Sequence, residues 1–180
     1  HFDFHPHNDY GLGTANCLAA AYAGVQGLHV TINGMGERAG NAPLEEVCVA
    51  LHDFLEKEVK THIQEQYLYP ASRMVQLYSS MRMAPNKPLV GDNVFTQTAG
   101  VHADGDKKGG LYFNRLMPER FGREREYALG KLSGKANLDQ NLKKLGIELL
   151  EEEKMQLLSR IIELGDKKQS ITSEDLPYII

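Results

Sequence analysis

Two histidines one residue apart, His5-Pro6-His7, are the sharpest chemical signal in the chain. Residues i and i+2 of a strand project from one face, so two imidazoles placed there can share a cation. Two hydrogen-bonded histidines at a strand end are the alternative that the spacing leaves open. Asp3 falls on the same face, as a further ligand or as a partner that orients one. Asn41, Asp9 and Glu37 lie at or near the carboxyl ends of two expected strands, where parallel sheets and barrels put their active sites. A second constellation, Gly100-Val101-His102-Ala103-Asp104-Gly105, holds an imidazole two residues from a carboxylate, with Tyr112 shortly after. A carboxylate that orients a histidine raises its basicity, as a general base requires; a polar surface loop has the same composition. His29, His52 and His62 sit in strand or helix contexts and read as structural.

Two glycine-rich stretches invite an anion-binding reading. In Asn33-Gly34-Met35-Gly36-Glu37-Arg38-Ala39-Gly40-Asn41 the order Gly-x-Gly-x-x-x-Gly departs from the dinucleotide fingerprint, and a tight turn with special backbone angles is the better account. In Gly130-Lys131-Leu132-Ser133-Gly134-Lys135 the phosphate-loop order is broken by Ala136, which leaves Ser133 as an expected helix N-cap. Lys131 and Lys135 remain able to meet an anionic ligand tail.

The elements that must position these residues follow from periodicity. His1 to His7 alternates with a period of two, polar on one side and Phe2, Phe4 and Pro6 on the other, as a strand does. After a turn at Asn8-Asp9-Tyr10-Gly11, Thr14 to Ala23 has the Ala and Leu content of a helix ended by Gly24. Leu28 to Ile32 then reads as a short strand, and Leu44, Val47, Cys48, Leu51 and Leu55 fall at helical spacing. Consecutive βα units imply parallel strands, and a lone parallel pair leaves both edges unpaired, so the sheet needs further strands. From about residue 60 onward the patterns are helical. Ala71, Met74, Val75, Tyr78 and Met81 form one stripe; Leu138, Leu142 and Leu145 a second, ended by Gly146; Leu150, Leu157, Ile161 and Leu164 a third, ended by Gly165. Glu151 to Glu153 suit a solvated first helical turn. Thr172 or Ser173 caps a last short helix, and Pro85 to Tyr112 is a long polar loop of the kind that carries function.

Composition bounds the rest. At 180 residues, 42% hydrophobic and 24% charged, the chain has about one domain's worth of sequence and is neither disordered nor fibrous. A formal charge of −4 lacks the basic excess that a nucleic-acid surface needs. No apolar run spans a bilayer and no secretory signal opens the sequence, so no membrane partner and a cytoplasmic location are expected. Cys17 and Cys48 read as small core residues in a reducing compartment.

Taken together, His5 to Asn16, Thr31 to Asn41 with Leu44-Glu45-Glu46-Val47, Gly100 to Gly105 and Tyr127 to Lys135 closely resemble the 2-isopropylmalate synthase family, which includes citramalate and homocitrate synthases. The resemblance covers essentially the whole chain. It implies an α/β then mostly α architecture: the last two βα units of a TIM (β/α)8 barrel over 1–58, a linker and helical subdomain with the His/Asp loop over 59–125, and a second helical subdomain over 126–180. It implies condensation of acetyl-CoA with a 2-oxo acid followed by thioester hydrolysis, first of all the 2-isopropylmalate reaction on 2-oxoisovalerate in leucine synthesis, with citramalate formation from pyruvate or homocitrate formation as alternatives. By the same resemblance His5, His7 and Asn41 are ligands of a divalent metal (Mn, Mg or Zn), Thr31 holds the 2-oxo acid carboxylate, and His102, Asp104 and Tyr112 form the acid–base group. A homodimer with an exchanged helical region is implied as well. The family's earlier barrel strands, with an Arg-Glu region and the Asp that completes the metal site, have no counterpart in these residues. The expectation is therefore a fragment that is inactive alone, or, as an alternative of another class, a non-catalytic dimerisation and lid module. An amidohydrolase shares the His-x-His strand but needs later strand-end ligands that the helical remainder does not supply.

Overall fold

The structure, a computed structural model, describes residues 1–97, 114–167 and 171–179. They divide into two compact units, one formed by His1–Val94 and Arg115–Arg123, the other by the described parts of Phe95–Asn114 and Glu124–Ile180.

In the first unit β1 (Asp3–Phe4) pairs in parallel with β2 (Gly27–Leu28), with Asp3 opposite Gly27, across the intervening α1 (Gly13–Tyr22). α2 (Leu44–Phe54) and α3 (Leu68–Ser79) follow. The βαβα order is as the alternation predicts, yet both strands are shorter than expected. His1 to His7 pairs regularly over two residues only, and past β2 the chain leaves the extended state at a 3-10 turn, Ile32–Gly34, where Asn33 (φ 63°) and Gly34 (φ 72°) are left-handed. Each strand has a single neighbour in this sheet, so little holds a longer extension flat. Cys17, Ala42, Val47 and Leu51 form the core between α1 and α2, with Phe4, Leu28 and Val30 packed against it. Burial pushes the Cys17 thiol up to about 11 and the Cys48 thiol up to about 12, which suits the inert core role expected of both.

The stripe expected on the third helix is not the face that α3 buries. Met74 and Tyr78 are 56% and 78% exposed and Met81 is exposed beyond the helix end, whereas Leu68 and Ser72 are the buried residues. Polar Ser72 is buried because its hydroxyl and carbonyl have a partner beneath the helix, which periodicity of apolar residues does not register.

The second unit contains β3 (Thr96–Gln97) paired in parallel with β4 (Glu126–Tyr127), then α4 (Lys135–Leu145), α5 (Glu151–Asp166) and the short α6 (Leu176–Ile179). Leu138, Leu142, Leu157, Ile161 and Leu176 make its core, so the centre of each leucine stripe is buried as its spacing predicts, while Leu145 and Leu150 at the stripe ends are exposed. Gly146 ends α4 in the left-handed conformation, and Thr172 caps the last helical segment with Asp175 reciprocating. The glutamates at 151–153 occupy the first turn of α5, where Glu153 accepts the Leu150 N–H at 2.7 Å.

Two expectations here need correction. Ser133 does not cap α4: Gly134 is the N-cap, while the Ser133 hydroxyl accepts the Gly130 N–H at 2.8 Å and donates to the Ala128 carbonyl at 3.3 Å, closing the turn ahead of the helix. Nor does Gly165 end α5, which runs through it to Asp166. Its role is close approach: a Cβ there would lie 2.3 Å from the Lys131 nitrogen and 2.8 Å from the Gly130 carbonyl carbon. Helix propensity alone makes Gly165→Ala stabilising by up to about 1 kcal/mol. Backbone cannot step aside as a side chain can, so the expected result is the opposite sign, a loss of roughly 3 kcal/mol in urea unfolding of the second unit. A variant as stable as the parent would show that this packing yields freely.

Candidate functional site

The first unit gathers the sequence's chemical residues at the ends of β1 and β2. The rings of His5 and His7 stand edge to face with centroids 5.1 Å apart, so the alternation does put both on one side. His7 forms an isolated bridge with Asn41, and the Asn8 N–H donates to the Gly40 carbonyl at 2.9 Å, which joins the His-x-His segment to the far end of the glycine loop. Gly40 has φ 83°, and a Cβ on it would meet the Gly34 oxygen at 2.0 Å, so a side chain here would pry the loop open. The Asn41 N–H donates to that same Gly34 carbonyl at 3.0 Å.

The Met35 carbonyl accepts two side-chain hydrogen bonds, from the Thr31 hydroxyl at 2.6 Å and from the Asn41 amide Nδ2 at 3.1 Å. That fixes the rotation of the Asn41 amide, with its nitrogen turned to the loop and its oxygen Oδ1 buried and unpartnered. His7 Nδ1 is likewise buried without a partner. Buried polar atoms are seldom left so, and two electron-pair donors on joined segments fit a cation that completes them. Among the described residues no three His, Cys, Asp or Glu side chains converge as a set able to hold a metal. Two imidazoles and an amide oxygen are thus at most a partial donor set, and a cation held there would need a further ligand from elsewhere.

The other candidates separate. Asp9 is held by Arg38 through both carboxylate oxygens, at 2.8 and 3.0 Å, and the Arg38 hydrogen bond keeps its carboxyl below the usual range. Glu37 projects into solvent near Arg38. Asp3 does not support His5 or His7 directly; it faces His1 at 2.8 Å and His29 at 3.5 Å. His29, whose context suggests a structural role, brings its ring to 5.6 Å from that of His5. The available signal was its position two residues before Thr31, on the same face of the expected strand. His52 does fit its structural reading, bound at Nδ1 to Glu65 at 2.6 Å and at Nε2 to Thr61. His102, Asp104 and Tyr112 lie outside the described residues.

Beside this cluster an open pocket of about 350 Å³ is lined by His7, Asp9, Tyr10, Leu12, Asn16 and Arg38. Asn33, at the start of the glycine loop, and Glu45 on α2 are both buried. Burial pushes the Glu45 carboxyl up, although the Asn33 N–H donates to one of its oxygens at 3.1 Å. No described helix is long and apolar enough to cross a membrane.

Comparison with known proteins gives this arrangement a class. Residues 1–75 match the HMGL-like family model, and residues 89–169 match the model of the homocitrate synthase post-HMGL domain-like family. A putative (R)-citramalate synthase of Methanopyrus kandleri is 42% identical over 97% of this chain and 34% of its own length. A 2-isopropylmalate synthase of Methanocaldococcus jannaschii is 41% identical over 98% of this chain and 34% of its own, and the chloroplastic methylthioalkylmalate synthase 3 of Arabidopsis thaliana 41% identical over 99% and 37%. The His-x-His segment and its glycine loop are therefore HMGL-like, joined to a post-HMGL region. The chain belongs to the family of 2-isopropylmalate, citramalate and homocitrate synthases, and it spans about a third of the length of the curated relatives it matches.

Proposed function

We propose that the chain supplies the metal-binding edge and the helical region of an acyltransferase that condenses acetyl-CoA with a 2-oxo acid. The observation that carries this reading is the pair of open donors, His7 Nδ1 and Asn41 Oδ1, on segments joined by hydrogen bonds. In this reading β1, α1, β2 and α2 are the last two βα units of a barrel whose other strands complete the sheet. His5, His7 and Asn41 hold a divalent ion (Mn, Mg or Zn), which when bound acts as a Lewis acid toward the keto carbonyl. The Thr31 hydroxyl, already a donor at the loop, turns to the 2-oxo acid carboxylate and orients it. His102, oriented by Asp104 with Tyr112 near it, takes a proton from the acetyl-CoA methyl group. The resulting carbon nucleophile attacks the keto carbon, and water then cleaves the thioester to release the CoA thiol and make the reaction irreversible. A homodimer in which the helical region is exchanged is part of the same proposal.

For the 2-oxo acid, 2-oxoisovalerate, giving 2-isopropylmalate, is the first reading. Pyruvate, giving citramalate, is the second, and the names of relatives at 42% identity favour it. The test is thiol release from acetyl-CoA with each acid in turn, in a polypeptide of the relatives' length carrying this chain. One acid should turn over well above the others, and His102→Ala should lower kcat by about 10²–10⁴-fold, the span of general acid–base catalysis, with metal content unchanged. Absence of thiol release with any 2-oxo acid would refute the acyltransferase reading, and an unchanged kcat would take His102 out of the chemistry.

A further inference from the structure

Asn33 opens the glycine loop and is held by groups from two helices. Its N–H donates to Glu45 Oε2 on α2 at 3.1 Å, its Nδ2 donates to the Ser72 carbonyl on α3 at 3.1 Å, and its Oδ1 accepts the Ser72 hydroxyl at 2.5 Å. All three residues are buried, Ser72 completely. The Ser72 hydroxyl is itself steered by Gln76, whose Nε2 donates to it at 3.3 Å. These bonds fix a residue whose φ of 63° a non-glycine side chain seldom adopts. Gly34 follows at φ 72°, and its carbonyl receives the Asn41 N–H. The turn at Asn33 therefore aims the carbonyl on which the backbone of Asn41 hangs.

We propose that Glu45 and Ser72 are positioning residues for Asn41: by clamping Asn33 from α2 and α3 they set the glycine loop in the shape that presents the Asn41 side-chain oxygen. The proposal rests on the reading of Asn41 as a metal ligand, and it makes α3, outside the strand-and-helix repeat, a part of the site's scaffold. The unpartnered second oxygen of Glu45 sharpens the test. Asn33 needs one acceptor from this residue, which glutamine also provides, whereas alanine leaves a buried N–H unpaired.

Amide hydrogen exchange on the 180-residue chain reads the loop directly. In Ser72→Ala and in Glu45→Ala the Asn41 N–H and the Asn8 N–H should exchange roughly 10- to 100-fold faster than in the parent, as the loss of a buried partner predicts. The Ala23 N–H, bonded to Ala19 within the α1 end, should keep its rate. Glu45→Gln should restore slow exchange at Asn41. Parent-like exchange at Asn41 in Ser72→Ala, or exchange in Glu45→Gln as fast as in Ser72→Ala, would overturn the proposal; neither variant removes a large apolar group, so both remain readable if Glu45→Ala does not fold. Mn²⁺ titration of the relatives-length polypeptide tests the reading beneath it. Ser72→Ala should weaken Mn²⁺ and Glu45→Gln should not. An Asn41→Ala variant that binds Mn²⁺ like the parent would remove Asn41 as a ligand while leaving the exchange result standing, so the two failures are distinguishable.

Discussion

Arg120→Ala is expected to cost the first unit about 2–3 kcal/mol in urea unfolding, the largest loss from any single charged side chain there. One guanidinium serves two carboxylates from distant parts of the chain. It donates to both oxygens of Asp53, at 2.9 and 3.1 Å, and to both oxygens of Glu65, to Oε1 at 2.7 Å. The side chains are 23%, 14% and 11% exposed for Arg120, Asp53 and Glu65, so water replaces the lost cation poorly. Removing one partner of a fully buried pair costs roughly 3–5 kcal/mol, and partial access to solvent places this case below that. The same network sets an acid limit. Burial alone would raise the Glu65 carboxyl, but hydrogen bonds from Arg120 and His52 outweigh it and hold it below its usual value. A carboxyl depressed on folding contributes stability above its unfolded value near ~4.3, and that contribution fades as pH falls through the folded value. Urea midpoints taken from pH 6 down to pH 3, roughly the window in which carboxylates titrate, should therefore drop more steeply for the parent than for Glu65→Gln. Parallel curves, or an Arg120→Ala midpoint equal to the parent's, would show that the network contributes nothing net.

His7→Ala is expected to weaken Mn²⁺ in the relatives-length polypeptide by more than about 100-fold, beyond the 10- to 100-fold that changes around a ligand cost. The argument is local. Asn41 and Gly40 are tied to the segment carrying His7, so the backbone that bears the imidazole cannot move away from Asn41 without breaking the bond from Asn8 to Gly40. Its unpaired Nδ1 is already desolvated, and a cation arriving there regains what burial took away. His62→Ala, at an exposed histidine, is the control and should leave Mn²⁺ unaffected. Stoichiometric Mn²⁺ at parent affinity in His7→Ala would strike this residue from the ligand set.

The order of elements was legible because βαβα alternation and leucine stripes are local in sequence. So was the pairing of His5 with His7, since a period of two demands it. The clamp on Asn33 was not, because it joins residues 12 and 39 apart and one of its members, Ser72, is a polar residue on the buried side of a helix. Gly165 misled for a related reason. A glycine near the end of a periodic stripe reads as a stop, whereas here it admits the backbone of a turn that lies more than thirty residues earlier. Asp9 was a fair ligand candidate until its partner was known; Arg38 is far in sequence and meets it from a backbone turned to φ 56°.

The shared carbonyl of Met35 has a consequence for how occupancy at one position is felt at another. Thr31 and Asn41 both lean on that oxygen. An acceptor that draws the Thr31 hydroxyl away leaves the oxygen with one donor, and a singly engaged carbonyl holds the Asn41 amide more firmly. A ligand that pulls Asn41 instead tightens the hold on Thr31. Linkage makes such an effect equal in both directions, so two guests bound on either side of residue 35 would communicate through a single atom of main chain, with no helix or strand having to move.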